Sequence, residues 1–196
     1  LLCTAWLGVN IFANLPEPPP WDFGAYYFYG TAAKLGVDFY QPLQSVPLPF
    51  STAPNQDFVN EIVKVGFPYP PPSMFLFWPL SYLPYAQAYL LWSVLNLIAL
   101  FLAIAVLNRS IFKSETAQTP LLLPVIVALL WPPVATSFSY AQSNSLILLF
   151  LALAYSFRRS PISGVWIGLG AIVKPWVVLM LLYHMTAKRW GAIIAA

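Results

Sequence analysis

Charge is what this sequence has least of. Only 8% of its 196 residues are Asp, Glu, Lys or Arg, against roughly a quarter in soluble domains, and no carboxylate falls inside a long apolar run. That shortage, with a hydrophobic content of 60%, excludes an ordinary soluble domain and predicts an all-α, polytopic membrane protein. A single cysteine, Cys3, excludes an internal disulfide, and in its apolar surroundings the thiol behaves as a small hydrophobe. A single histidine, His184, stands near the basic pair Lys188/Arg189, where it reads as interfacial and without a role. The sequence offers no metal-ligand cluster, no phosphate-cradling glycine loop and no Ser/His/Asp arrangement, so no cofactor and no nucleotide-consuming site are expected. The net charge of +3 does not point to nucleic acid. The basic residues fall in short clusters between apolar runs, where they set membrane topology instead.

A hydrocarbon core of about 30 Å needs about 20 helical residues. Residues 85–108 meet that requirement and stop at Asn108 and Arg109. Residues 119–138 form the next expected span, kinked where Pro132 and Pro133 remove backbone donors. Residues 142–157 are short for a crossing and end at Arg158 and Arg159, so their polar start is expected below the membrane surface. Residues 161–187 have basic flanks at both ends, which a single crossing cannot place on one side. A break at Lys174-Pro175, giving a hairpin of two half-length helices that enter and return, resolves the conflict and is preferred over one tilted crossing. Residues 1–13 read as the remnant of a first transmembrane helix, with no basic region before them to make a signal peptide. The chain opens without methionine and closes on the apolar run 190–196, too short to span. Residues 1–196 are therefore expected to be one transmembrane domain cut at both ends, with further helices following.

Placing Arg109/Lys113, Arg158/Arg159 and Lys188/Arg189 in the cytoplasm leaves residues 16–83 outside. There Glu17, Asp22, Asp38, Asp57 and Glu61 face only Lys34 and Lys64. Within this outer loop, residues 23–35 predict a short helix lying along the interface, its aromatics at headgroup level and Gly36 its C-cap. Residues 41–56 are rich in turn formers, and residues 57–65 predict a second short helix.

Five places have the chemistry for a site. Asp22 follows a stiff proline run and sits among Trp21, Phe23, Tyr26 and Tyr27, where a partly desolvated carboxylate is a good proton acceptor. As an N-cap of a helix starting at Phe23 it would be equally at home. Asp38 reads as a turn residue or a second carboxylate of the site, whereas Asp57 and Glu61, at i,i+4, read as solvated. Lys174 is costly inside a membrane, so it either meets a phosphate at the hairpin tip or snorkels to the headgroups. Tyr140, Gln142 and Asn144 interrupt the apolar pattern at a helix start, as caps and interhelical hydrogen bonders or as sugar-binding groups.

Four segments in this order resemble the glycosyltransferase 87 family, polyprenyl-phosphate-sugar-dependent enzymes of the GT-C membrane architecture. They are WDFGAYYFYGTAAKLGVDFY at 21–40, YPPPSMFLFWPLSYLP at 69–84, YAQSN at 140–144 and IVKPW at 172–176. One departure is Ala141, where the family pattern has Gly before Gln. The resemblance implies transfer of a sugar, mannose by preference, from a polyprenyl-phosphate carrier to a glycolipid or glycan acceptor hydroxyl, with inversion, on the outer face of a plasma membrane. It implies Asp22 as general base, Lys174 at the leaving phosphate, and Tyr26, Tyr27, Asp38, Tyr69, Gln142 and Asn144 around the substrates, with membrane lipids as the remaining partners. The rival from another class is a transporter or lipid flippase. Such proteins coordinate near the bilayer midplane, whereas every carboxylate here lies outside the apolar runs.

Overall fold

The computed structural model describes residues 21–36, 69–111 and 122–196, and all regular structure among them is helical. Asp38, the predicted helix at 57–65 and the predicted helix remnant at 1–13 lie outside the described residues. The chain divides into two compact units, Leu1–Ser93 with Thr136–Gln142, and Val94–Ala135 with Ser143–Ala196.

In the first unit, α1 spans Trp21–Lys34. It ends because Gly36 takes a left-handed φ of +69°, which glycine adopts without steric cost, while the Leu35 and Gly36 N–H groups bond back to Thr31 and Ala33 carbonyls. Against α1 lies a run of short turns, the 3₁₀ segment Pro71–Ser73, α2 at Met74–Phe77 and the 3₁₀ segment Trp78–Tyr82. Prolines at the starts of both 3₁₀ segments keep this stretch from becoming one helix. Gly30 lets the two pieces touch, since a Cβ there would stand 2.8 Å from the Phe77 carbonyl oxygen.

The aromatics of α1 depart from the expectation. Tyr26 and Tyr29 were expected at headgroup level, yet both are buried, with Phe23 and Phe28. Tyr26 stacks on Phe77 at 4.1 Å and meets Tyr69 and Trp92 edge-on, and Phe23 packs on Tyr85 and Tyr89. Each such pair adds about 0.5–1.5 kcal/mol beyond its buried area. A helical period identifies a face but not what covers it, and here the cover comes from residues 69–92.

The long helix α3, Tyr85–Ile111, has 27 residues and is the one described helix long and apolar enough to cross a membrane. At 1.5 Å per residue it is about 40 Å long, longer than a hydrocarbon core of about 30 Å. The expected span at 119–138 is broken instead of merely kinked. Among the described residues α4 covers Leu122–Leu130 and α5 covers Pro132–Ser139, with Trp131 between them.

In the second unit, α6 spans Asn144–Ser156, two residues later than the predicted start, and turns through Phe157–Pro161 into α7, Ile162–Val173. Lys174 then leaves the helical region, at φ −139° and ψ 116°, because the ring of Pro175 clashes with a helical residue before it. A 3₁₀ segment, Pro175–Met180, leads into α8, Leu181–Thr186, and α9 follows at Trp190–Ala195. The Ser163 hydroxyl lies 3.0 Å from His184 Nε2. An uninterrupted helix would hold residues 163 and 184 about 30 Å apart, so the chain reverses at Lys174. His184, read from sequence as interfacial, is buried at 2% exposure. Its partner Ser163 donates to the Ala154 carbonyl at 2.8 Å, which leaves His184 Nε2 as the donor to Ser163.

Candidate active site

Asp22 lies in the first turn of α1 and is half-buried. The helix begins at Trp21, before Asp22, so the carboxylate is not the cap of a helix starting at Phe23. An acidic side chain in the first turn still meets the positive end of the helix dipole, a favourable contact of about 0.3–1 kcal/mol.

The same unit holds a pair of tyrosine hydroxyls. Tyr26 and Tyr69 oxygens are 3.0 Å apart in a hydrogen bond. Burial chiefly raises the Tyr69 pKa, the Tyr26 bond acts the other way, and the negative charge of Asp22 raises it further. Asp22 therefore acts electrostatically on the Tyr69 hydroxyl. Tyr26 itself is fully buried, so it supports Tyr69 from behind and does not present its ring to a substrate. The half-buried Tyr27 donates to the Leu83 carbonyl at 2.8 Å, and burial raises its pKa. Next along the helix, burial pushes Tyr29 up to about 12.

Gln142 belongs to the same unit and follows a strained turn. Ala141 has φ +49°, a left-handed conformation that costs a residue with a Cβ roughly 1–2 kcal/mol. Two bonds hold it there. Its N–H reaches the Phe138 carbonyl at 3.0 Å, and its carbonyl accepts the Trp92 indole N–H at 2.8 Å. Gln142 is half-buried, its own N–H on the Ser137 carbonyl at 2.9 Å.

Trp92 is the residue that sequence reasoning missed. It meets the Tyr26 and Phe77 rings edge-on and fixes the turn that carries Gln142. The signal was present, because Tyr85, Tyr89, Trp92, Ser93 and Asn96 recur at three- and four-residue spacing in an otherwise apolar helix.

Lys174 and Asn144 belong to the second unit. The Lys174 ammonium donates to Asn144 Oδ1 at 2.8 Å, both residues half-buried. The geometry changes the expectation for Asn144. Its amide oxygen holds the lysine, a task assigned to neither residue from sequence.

The sequence pattern of glycosyltransferase family 87 matches residues 67–196, and the chain belongs to that family. Over 127 residues, 65% of the chain, it is 28% identical to a polyprenol-phosphate-mannose-dependent α-(1-2)-phosphatidylinositol pentamannoside mannosyltransferase of Mycolicibacterium smegmatis, covering 31% of that protein. Over 142 residues, 69% of the chain, it is 28% identical to an α-(1->3)-arabinofuranosyltransferase of Corynebacterium glutamicum, covering 33% of it. The chain thus spans about a third of the length of the curated relatives it matches. No solved structure matches the chain. The family match begins at residue 67, so Tyr69, Gln142, Asn144 and Lys174 lie within it and Asp22, Tyr26 and Tyr27 precede it.

Proposed function

We propose that the protein is a multi-pass membrane glycosyltransferase that moves a sugar from a polyprenyl-phosphate carrier to an acceptor hydroxyl on the extracytoplasmic face, inverting the anomeric centre. Family membership supports the reaction class. Mannose is the favoured sugar and a glycolipid the favoured acceptor, following the name of the Mycolicibacterium relative, and the arabinofuranosyltransferase relative makes a pentofuranose the competing donor.

The observation that carries the residue assignment is Asp22, the one described carboxylate, within electrostatic reach of the Tyr69 hydroxyl. As general base Asp22 takes the acceptor proton while the acceptor oxygen attacks the anomeric carbon. The bond from that carbon to the carrier's phosphate oxygen breaks, and the phosphate leaves already charged, so no general acid is required. Lys174, oriented by Asn144, compensates the charge that develops on the phosphate. Tyr69 and Tyr27 are the tyrosines assigned in this proposal to the sugar.

The test uses the full-length protein in right-side-out vesicles, with labelled polyprenyl-phosphate mannose and, in parallel, the arabinofuranose donor. A general base contributes about 10²–10⁴-fold, so Asp22→Asn should lower kcat by at least about a hundredfold with donor binding retained. Transfer within tenfold of the parent would remove Asp22 from the role.

A further inference from the structure

The second unit has a charge imbalance of which the proposed transfer chemistry uses only Lys174. Its sequence holds Arg109, Lys113, Arg158, Arg159, Lys174, Lys188 and Arg189 against one acidic residue, Glu115. Glu115 lies outside the described residues, so no described carboxylate of this unit is available to its arginines.

Two of those arginines line a cavity. Where α6 turns into α7, Ser156, Phe157, Arg158, Arg159 and Ser160 surround a space of about 270 Å³. The turn is built by hydrogen bonds from Phe157 N–H to the Leu153 carbonyl and from Ser160 N–H to the Phe157 carbonyl, at 2.9 and 2.7 Å. Arg158 is held in place, its guanidinium 4.6 Å from the centre of the Tyr155 ring and one N–H on the Tyr155 carbonyl at 3.2 Å. One donor is spent that way and the rest of the fork remains. Arg159 is exposed. Ser160 Oγ accepts the Ile162 N–H at 3.3 Å, which leaves its O–H to donate. A third guanidinium closes on the same turn, as Arg189 donates to the Arg158 carbonyl and, at 3.1 Å, to the Tyr183 hydroxyl.

We propose that this cavity is a binding site for a phosphate ester, presented by the headgroup of an anionic phospholipid. Beside the apolar Phe157 the lining carries two guanidinium groups and two serine hydroxyls, and arginine forks match phosphate oxygens in pairs. Basic clusters beside membrane helices can serve orientation alone. A concave turn with one guanidinium pinned on a ring and a serine whose O–H is left to donate exceeds what orientation requires. The proposal stands apart from the transfer reaction and does not depend on it.

The experiment is native mass spectrometry of the full-length protein released from micelles doped with phosphatidylglycerol or phosphatidylcholine. Glycerol 1-phosphate and inorganic phosphate serve as soluble competitors. Phosphatidylglycerol should bind saturably and in preference to phosphatidylcholine. Arg159→Gln should weaken it roughly fivefold, and Arg158→Gln with Arg159→Gln roughly 25-fold, at the usual increment per basic residue near a charged membrane. Arg109→Gln should leave it unchanged. Arg159 is exposed, so its variant alone decides if replacing Arg158 disturbs the Tyr155 contact. Displacement of the lipid by either soluble phosphate at matching concentration would keep the phosphate chemistry and assign its source to solution. Equal binding of the two lipids, or equal losses for Arg109→Gln and Arg159→Gln, would overturn the site.

Discussion

Replacing Lys174 with Met in the full-length protein tests both halves of the Lys174–Asn144 pair. The ammonium sits 2.8 Å from Asn144 Oδ1, and hydrogen bonds involving a charged group contribute about 1.5–3 kcal/mol. If that bonding capacity is directed at the carrier phosphate, its loss should lower kcat/KM for the donor roughly tenfold to hundredfold. Asn144→Ala keeps the charge and loses its orientation, so a smaller drop is expected. The two variants should not add, because once the lysine is gone the asparagine has no cation to hold, and contacting pairs couple by about 0.5–3 kcal/mol. Asn144→Asp separates positioning from bulk. It supplies a carboxylate that competes with the phosphate for the ammonium, so donor KM should rise although the side chain's size is unchanged. Donor titrations of the parent, the three single variants and the Lys174→Met/Asn144→Ala double variant supply the numbers. Unchanged donor kcat/KM in Lys174→Met would refute the phosphate contact, and strictly additive losses would refute the positioning by Asn144.

Gly30→Ala should destabilise the purified protein by up to about 2 kcal/mol, overpacking of about 1–3 kcal/mol being partly offset by about 1 kcal/mol of helix propensity. The new Cβ would meet backbone of Phe77 at 2.8 Å, so thermal unfolding should show a lowered midpoint, and an unchanged midpoint would mean the contact yields freely. Ala141→Gly should raise stability by up to about 1 kcal/mol, the left-handed strain relieved less the extra chain entropy of glycine. A loss of stability there would show that Ala141 is not strained. Tyr29 should ionise late in a spectrophotometric titration, near the value of about 12 to which burial pushes it. Its pKa is raised above the unfolded value of about 10, so its contribution to stability is complete below about pH 10 and is lost as pH rises through about 12. Ionisation of every tyrosine near pH 10 without unfolding would contradict its burial.

The family and the all-helical character were legible in the sequence, because both rest on features that survive at short range: apolar runs, proline punctuation and spaced Tyr, Gln and Lys. Gly36 and the extended Lys174 follow from rules acting over one or two residues. What escaped depends on partners far along the chain. Tyr26 meets Tyr69 across 43 positions, Trp92 meets Ala141 across 49, and Lys174 meets Asn144 across 30. No period within one helix encodes which of its polar atoms will be claimed by another. The inward turn of Tyr26 and Tyr29 escaped for the same reason. Interfacial tyrosines and core tyrosines have identical spacing on an isolated helix, and only the proline-broken segment at 71–82 decides between them.

The two faces of α3 bear on the membrane assignment more directly than its length does. Its buried side carries Ala88, Tyr89, Trp92, Ser93, Asn96, Ala99, Leu100, Ala103 and Ile104, whereas Leu90, Leu91, Val94, Leu95, Ile98, Phe101 and Leu102 are exposed. Small residues that permit close approach, and polar and aromatic groups with directional contacts, stand on the buried side beside Leu100 and Ile104, a composition that suits helix association where the surroundings are as apolar as leucine. The catalytic proposal inherits that logic. In the proposed reaction a tyrosine pair and an asparagine-held lysine, each fixed by a hydrogen bond, would be preorganised for the charge that moves during transfer.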